Sequence, residues 1–307
     1  MFRFKREQRV VNLAGVRMGG QPGELASVLC GTIFYQGHKI VEDEEQGLFD
    51  RAAAERLVAR QGELSDETGC PSVLHIYARS SEAFSRYLDF TEKVWSGPFI
   101  IDSADPATRM AAAALASEQG YADKAVYNSI SLATDETEAQ AISDSELDSA
   151  IILAYNPTQP GVEGSLVVLE TGGQAREKGL LETARDMGIN NILIDPAVLP
   201  LGSGAGAALR FSVAAKARLG YPVGSGIHNA VSSWPWLSRK EALAKRGCDA
   251  AAAAMQLLAA ADFLLYGPIE MAEIIFPAAA MADILIAEAV LDLEIEPADP
   301  HPLHRLV

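Results

Sequence analysis

The sequence predicts an α/β chain folded as a single (β/α)8 TIM barrel with an N-terminal β-hairpin cap. Three observations carry this: eight short Val/Ile/Leu-rich runs, helical patterns with legible ends between them, and no Ser/Gly/Pro-rich linker across 307 residues. The apolar runs are near-continuous rather than alternating, as a parallel sheet covered on both faces requires.

Residues 1–27 form the cap. Within them RVVNLAGVRMG turns near Ala14-Gly15 and is expected to plug the N-terminal mouth, leaving residues 28–307 as the barrel domain. The strand candidates are VLCGTIF (Val28 to Phe34), SVLHIYA (Ser72 to Ala78), PFII (Pro98 to Ile101), KAVYN (Lys124 to Asn128), AIILAYN (Ala150 to Asn156), NILID (Asn191 to Asp195), YPVGSGIHN (Tyr221 to Asn229) and DFLLYG (Asp262 to Gly267).

The first helix starts from Asp50, puts Ala54, Leu57, Val58 and Leu64 on one face, and stops at Gly69. Asp105-Pro106 is an N-cap with proline in the first turn, and that helix runs to Gly120. TDETEAQAISDSELD reads as a short exposed helix. Leu180, Leu181, Ala184 and Met187 make a stripe ending at Gly188, and GAGAALRFSVAAKARLG ends at Gly220. AAAAAMQLLAAA precedes the eighth strand, and in the long helix after it Pro277 is expected to kink or interrupt the chain.

Forty-one acidic against 25 basic residues give a net charge of −16, which argues against nucleic acid and anionic lipid as direct partners. Cys30, Cys70 and Cys248 lack CxxC spacing and no signal peptide is evident, so a cytoplasmic protein without disulfides or a cysteine zinc site is expected. The most apolar stretch, Ala250 to Leu265, is interrupted by Asp262 and is shorter than the roughly 20 residues a spanning helix needs.

In such a barrel the site lies at the C-terminal ends of the strands. There the sequence places Asp102, Asn128, Asn156, Asp195 and Asn229, with the Gly37-His38-Lys39 loop after the first strand and Tyr266 to Glu270 after the eighth. Desolvating a short amide or carboxylate without partners costs roughly 1–3 kcal/mol, so its repeated use around one mouth points to a ligand. No lysine ends a strand, which disfavours a Schiff-base aldolase, and the histidines are too few and scattered for an evident metal centre. Two aspartates and several asparagines suit a flat, uncharged heterocycle rich in N–H donors and ring acceptors, such as a pterin, whose 2-amino group and N3–H one carboxylate accepts together.

QPGE (Gln21 to Glu24), VLCGTIFYQGHKIVEDEEQGLFD (Val28 to Asp50), LSDETG (Leu64 to Gly69), IDS, YNSI, LIDP, PVGSGIHNAVSSW (Pro222 to Trp234), LLYGPIE (Leu264 to Glu270) and the terminal HPLHRLV resemble the H-subunit family of tetrahydromethanopterin S-methyltransferase. The resemblance implies transfer of the N5-methyl group of methyl-tetrahydromethanopterin to cob(I)alamin on a separate corrinoid protein, as the pterin-binding subunit of a membrane methyltransferase complex in methanogenesis. It implies that Asp102, Asn128, Asp195 and Asn229 hold the pterin, Asp195 on the 2-amino and N3–H edge. Asn229, with or without a water on Asp102, would then assist N5 as its C–N bond breaks. A homo-oligomer, most simply a dimer, is expected, and the resemblance to a subunit of a membrane complex implies docking at the periphery of the cytoplasmic face. No metal and no DxHxxG corrinoid motif belong to this chain.

Each residue also has a structural reading. Asp102 fits helix capping, Asp195-Pro196 a turn initiator, and Asn156-Pro157 a turn as readily as a ligand. His38 and Asp43 lie in the charged loop GHKIVEDEEQG, which with Glu270 suits either the site or partner docking. Gly202, Gly204 and Gly206 resemble a phosphate loop without the Lys-Ser/Thr of a P-loop. The functional alternatives are a methyltetrahydrofolate:corrinoid methyltransferase, a non-catalytic scaffold protein, and a dihydropteroate-synthase-like enzyme, for which no basic pyrophosphate site is visible.

Overall fold

The computed structural model describes residues 2–307. The chain opens with a hairpin of β1 (Val10–Leu13) and β2 (Val16–Gly19), followed by β3 (Val28–Ile33) and a second hairpin of β4 (Val41–Asp43) and β5 (Leu48–Phe49). Then come α1 (Arg51–Thr68), β6 (Ser72–Tyr77), α2 (Ser81–Val94), β7 (Phe99–Asp102), α3 (Pro106–Glu118), β8 (Ala125–Ile130), α4 (Glu136–Asp144), β9 (Ser149–Leu153), α5 (Val162–Glu170) and α6 (Leu180–Asp186). The last part holds β10 (Asn191–Asp195), α7 (Gly206–Leu219), β11 (Gly224–Ser225), α8 (His228–Ser232), α9 (Pro235–Ser238), α10 (Ala242–Leu258), β12 (Phe263–Pro268), α11 (Ala272–Glu288) and α12 (Pro302–Leu306).

Eight strands form one parallel sheet in the order β10-β9-β8-β7-β6-β3-β12-β11. An isolated bridge between Ile194 and Val223, with Ile194 N–H donating to Pro222 C=O at 3.0 Å, joins the two edges into the predicted barrel. Capping chemistry delimits the helices as the residue types require. Asp50 accepts Ala53 N–H ahead of α1, Asp105 accepts Ala107 and Thr108 N–H ahead of α3, and Gly69 and Gly220 end α1 and α7 in the left-handed conformation.

Four expectations need correction. The seventh strand does not run to Asn229: it ends at Ser225, because the chain turns at Gly226, whose C=O accepts Asn229 N–H at 3.0 Å, and continues as α8. The helix over 136–144 is not simply exposed, since Glu138 and Ile142 are buried. Pro277 does not interrupt α11, which is continuous over Ala272–Glu288; the proline sits near its start, after a 3-10 turn at Ile269–Met271. The charged loop after the first strand is not all loop: it contains β4 and turns back into β5, which follows it directly. A further helix, α2, is capped by Ser80 and buries Phe84, Tyr87 and Leu88; the sequence patterns above do not include it.

Strand alternation sorts the side chains into two layers. Outward-pointing Ile33, Leu74, Ile76, Ile101, Tyr127, Ile152 and Ile194 pack under the helices. Inward-pointing Val28, Cys30, Val73, Ile100, Val126, Ile151, Leu193, Phe263 and Leu265 meet Val11, Leu13 and Met18 of the first hairpin. The hairpin thus fills the N-terminal half of the lumen with apolar side chains. Its two-residue turn needs positive φ at both positions, and Ala14 (45°) and Gly15 (96°) supply it. Next to it, Lys216 is buried with its Nζ bonded to Asp262 and to Gly20 C=O.

Candidate active site at the barrel mouth

Two residues beyond the inward apolar layer, the same strand faces carry Thr32, His75, Asp102, Asn128 and Asp195. The pattern is set by the pleat: Ile100 is followed by Asp102, Val126 by Asn128 and Leu193 by Asp195, so the polar side chains point into the lumen just above its apolar floor. Asp102 and Asn128 are direct neighbours in the ladder between β7 and β8. The register of β8 against β9 shifts between Asn128 and Ile130, which re-aims the strand end.

The polar layer is unevenly satisfied. Asp195 is 7% exposed, and one of its oxygens accepts Ala197 N–H at 2.7 Å. The other has no hydrogen bond among the described residues. Burial pushes its carboxyl up to about 7, against the opposing pull of the Ala197 N–H and the charge on His75. Such a carboxyl has an unfilled accepting edge that a neutral ligand with two parallel N–H groups would satisfy. Asp102 is held from one side, its Oδ2 lying 2.9 Å from His75 Nε2.

Asn229 is the second residue of α8 and is exposed at the rim. His228 beside it lies against Gly267, where a Cβ would come within 2.6 Å of the imidazole and where φ is +83°, so only glycine fits. Burial, reinforced by the charge of His75, drives His228 down to about 4, leaving it a neutral imidazole at the mouth.

Other candidates prove to be engaged elsewhere. Asn156, 6% exposed, lies beyond the end of β9; its Oδ1 accepts from Thr158 N, Thr158 Oγ1 and Gln159 N, and its Nδ2 donates to Gly164 C=O. It organises its own loop. Asp43 accepts Glu45 and Gln46 N–H and the Gln46 amide, and so builds the β4–β5 turn. His38 is not solvated: it is 2% exposed and accepts Phe34 N–H through Nδ1. Its Nε2 is 3.0 Å from Glu270 Oε1, close enough for an ion pair although off the hydrogen-bonding direction. Burial would raise the Glu270 carboxyl, but His38 and the Tyr35 hydroxyl together hold it below the usual range.

Sequence reasoning missed His75 and Thr32. A histidine inside a strand reads as packing, yet the parity of His75 with Val73 matches that of Asp102 with Ile100, and that signal would have found it. A cavity of about 490 Å3 lies instead on the N-terminal side, lined by Arg17, Asp66, Trp95 and Arg305 among others. Its arginines are spent on Asp299 C=O and Asp66 C=O, so the chemistry points to the mouth rather than to this space. Among the described residues no group of three or more His, Cys, Asp or Glu is arranged to hold a metal, and no helix is long and apolar enough to cross a membrane.

Dihydropteroate synthases share the architecture: the Yersinia pestis enzyme in a sulfonamide complex superposes with a TM-score of 0.61 at 14% identity, covering 93% of this chain and 100% of that one. The enzyme from Vibrio fischeri gives 0.59 at 12% identity, covering 94% and 100%. At that identity the likeness establishes the fold. Sequence relatives go further. The H subunit of tetrahydromethanopterin S-methyltransferase from Methanocaldococcus jannaschii is 50% identical over 319 residues, with full coverage of both chains. Its namesake from Methanothermobacter thermautotrophicus is 47% identical over 310 residues, again with full coverage. A Methanosarcina mazei protein, provisionally named as the H subunit of an mtx methyltransferase, is 51% identical over 310 residues and all of both chains. With a family model described as tetrahydromethanopterin S-methyltransferase MtrH subunit matching residues 6–298, the chain belongs to the MtrH family of methyltransferase subunits.

Proposed function

We propose that this methyltransferase subunit binds methyl-tetrahydromethanopterin in the barrel mouth and gives up the N5-methyl group to a corrinoid carried by a partner protein. The observation that carries the reading is the inward polar layer of Asp102, Asn128 and Asp195 above an apolar floor, with one buried carboxyl half-satisfied. Asp195 accepts the pterin 2-amino group and N3–H, and Asp102 with Asn128 meets the remaining polar ring positions. Asn156 is left out of the set because its side chain is bonded within its own loop.

The reduced corrinoid supplies the nucleophile. An amine cannot leave as an anion, so the residues of this chain must strengthen a hydrogen bond to N5, or protonate it, as the C–N bond breaks. That task is assigned to Asn229, which is exposed at the start of α8, with or without a water held by Asp102. The rest is alignment of the methyl group with its acceptor, worth several orders of magnitude in effective molarity.

The partner reaches the methyl group from the mouth, which is the open end of the lumen. Of the acidic residues Glu42 to Glu45, Asp43 and Glu44 accept backbone N–H groups and Glu45 pairs with Arg79, so Glu42 is the least engaged charge for steering a basic partner. Met255 and Leu258 of α10 and Met281 and Leu285 of α11 are exposed, a surface that suits a homodimer. Assembly with other proteins of a methyltransferase complex is supported by the relatives, which are themselves named as subunits, and attachment at the periphery of a membrane is the arrangement the family resemblance implies.

The test is methyl transfer to free cob(I)alamin by the purified chain, with methyl-tetrahydromethanopterin and methyl-tetrahydrofolate compared as donors, and calorimetry of each pterin. Transfer from the methanopterin form with micromolar-range binding is expected; absence of pterin binding would remove the proposal.

A further inference from the structure

We propose that His75 is a positioning residue for methyl transfer, holding the Asp102 carboxylate at the pocket floor and delivering through it the proton that N5 takes up. The inference rests on the pterin reading above. His75 lies in the middle of β6, points into the lumen and is 6% exposed. A histidine buried in an apolar lumen is ordinarily a packing residue with its nitrogens satisfied by backbone. Here both ring nitrogens meet side chains from the two flanking strands: Nδ1 is 3.0 Å from Thr32 Oγ1 of β3, and Nε2 is 2.9 Å from Asp102 Oδ2 of β7.

The Asp102 side chain is about one quarter exposed, whereas that of His75 is 7% exposed. The pair therefore connects a shielded imidazole with a carboxylate that faces the ligand space. The other titratable groups around it are Asp195, His228 and Tyr77, and the charge of His75 acts on both Asp195 and His228. Nothing in the pterin-holding scheme requires an imidazole in this place, and with a side-chain partner at each nitrogen the ring can hold or pass a proton.

The proton balance is simple. As the methyl group leaves, the C–N bonding pair stays on N5, which takes one proton from the His75–Asp102 pair, directly or through one water. In the charged ring both nitrogens donate, to Thr32 and to Asp102. After transfer the neutral ring keeps its Nδ1 proton and still donates to Thr32 Oγ1, while Nε2 has given up its proton through Asp102. The ring regains its proton from solvent at the mouth before the next turnover.

The experiment uses the full chain and compares wild type with His75→Gln, which keeps a polar amide toward both neighbours but carries no proton. Three quantities are read: the rate of methyl transfer from methyl-tetrahydromethanopterin to cob(I)alamin against pH, the affinity for tetrahydromethanopterin, and the protons exchanged on binding that pterin. The expected result is about a hundredfold slower transfer with nearly unchanged affinity, loss of the alkaline fall in the wild-type profile, and a changed proton count. A wild-type rate and profile, or equal losses in rate and affinity, would make His75 a structural residue and overturn the proposal. Thr32→Val removes one hydroxyl at constant shape and should shift the alkaline limb; if His75→Gln does not fold, an unshifted profile in Thr32→Val overturns the proposal by itself. Wild type that binds and transfers while these variants behave like it leaves the pterin reading standing and His75 dismissed; wild type that binds no pterin brings down both.

Discussion

Two carboxyl groups buried at opposite ends of the same barrel behave differently. Asp283 of α11, near the N-terminal end, is 4% exposed and accepts Ser27 N–H at 2.8 Å and Ser27 O–H at 2.7 Å. Asp195, at the C-terminal end, is 7% exposed and among the described residues accepts Ala197 N–H alone. Burial raises both, to about 6 and about 7, so desolvation does not separate them. What separates them is the count of partners. Asp283 fastens the start of the first barrel strand to a helix and is used up in doing so; Asp195 retains accepting capacity inside a low-dielectric pocket. The same contrast holds around them. Lys216 and Asp262 satisfy each other, Gly20 C=O and Val223 N–H at the closed end, while Asn128 and Asn229 at the mouth have no side-chain hydrogen bonds among the described residues.

The sharpest way to break this comparison is at the closed end. Lys216→Met leaves Asp262 buried without its cation, and a loss of about 3–5 kcal/mol in unfolding free energy is expected by urea denaturation, with pterin affinity unchanged in the folded protein. A lost affinity with intact stability would mean that the two ends are not separate in role. At the mouth the order reverses. Asn229→Ala, a change at an exposed side chain, should slow methyl transfer about a hundredfold while altering methyl-pterin affinity far less, because the interaction strengthens only in the transition state. Equal losses would make Asn229 a holder of substrate.

Next in size is a crossed pair of substitutions. Asp195→Ala should weaken tetrahydromethanopterin binding by about 1–3 kcal/mol, the cost of unpaired buried donors, and leave thermal stability level or higher. Asp283→Ala should cost about 1–3 kcal/mol of stability and leave the affinity alone. Calorimetry and denaturation of both variants give four numbers, and any pattern but the crossed one contradicts the comparison.

The smallest effect is in pH. The Asp195 carboxyl is raised from its ordinary value near 4 to about 7 in the folded chain, so its contribution to stability is fully present below about 4 and is lost as pH rises through about 7. Pterin N–H donors favour the ionised form, so affinity should climb from pH 5 to 7 by at most about 1.4 kcal/mol per unit and level off above, with a proton released on binding below 7. Asp195→Asn should flatten the curve; a slope that survives in that variant would point to another group.

Legibility in the sequence followed physical lines. Asp102 and Asp195 were readable because they terminate apolar runs, and β7 and β10 do end on them. His75 was hidden because a histidine within a strand looks like packing until its pleat parity is compared with its neighbours. Asn156 and Asp43 looked like site residues because the short polar side chains that make ligands are the ones that close Asx-type turns, and composition does not distinguish the two uses. The seventh strand was overextended because a Gly-Ser-Gly run has no helical or strand preference of its own; Gly224 lies so close to Phe263 that a Cβ would stand 2.1 Å from its carbonyl oxygen.

The first hairpin has a kinetic consequence. With Val11, Leu13 and Met18 seated among the inward strand residues, the lumen is a cul-de-sac with one doorway. If pterin and corrinoid partner share that doorway, as proposed above, the pterin must enter before the partner covers it and its demethylated form leaves only after the partner has lifted away. Turnover would then be compulsory-ordered, the partner last on and first off. A partner that lingers locks the spent pterin inside, so excess partner would slow steady-state cycling without touching the methyl-transfer step.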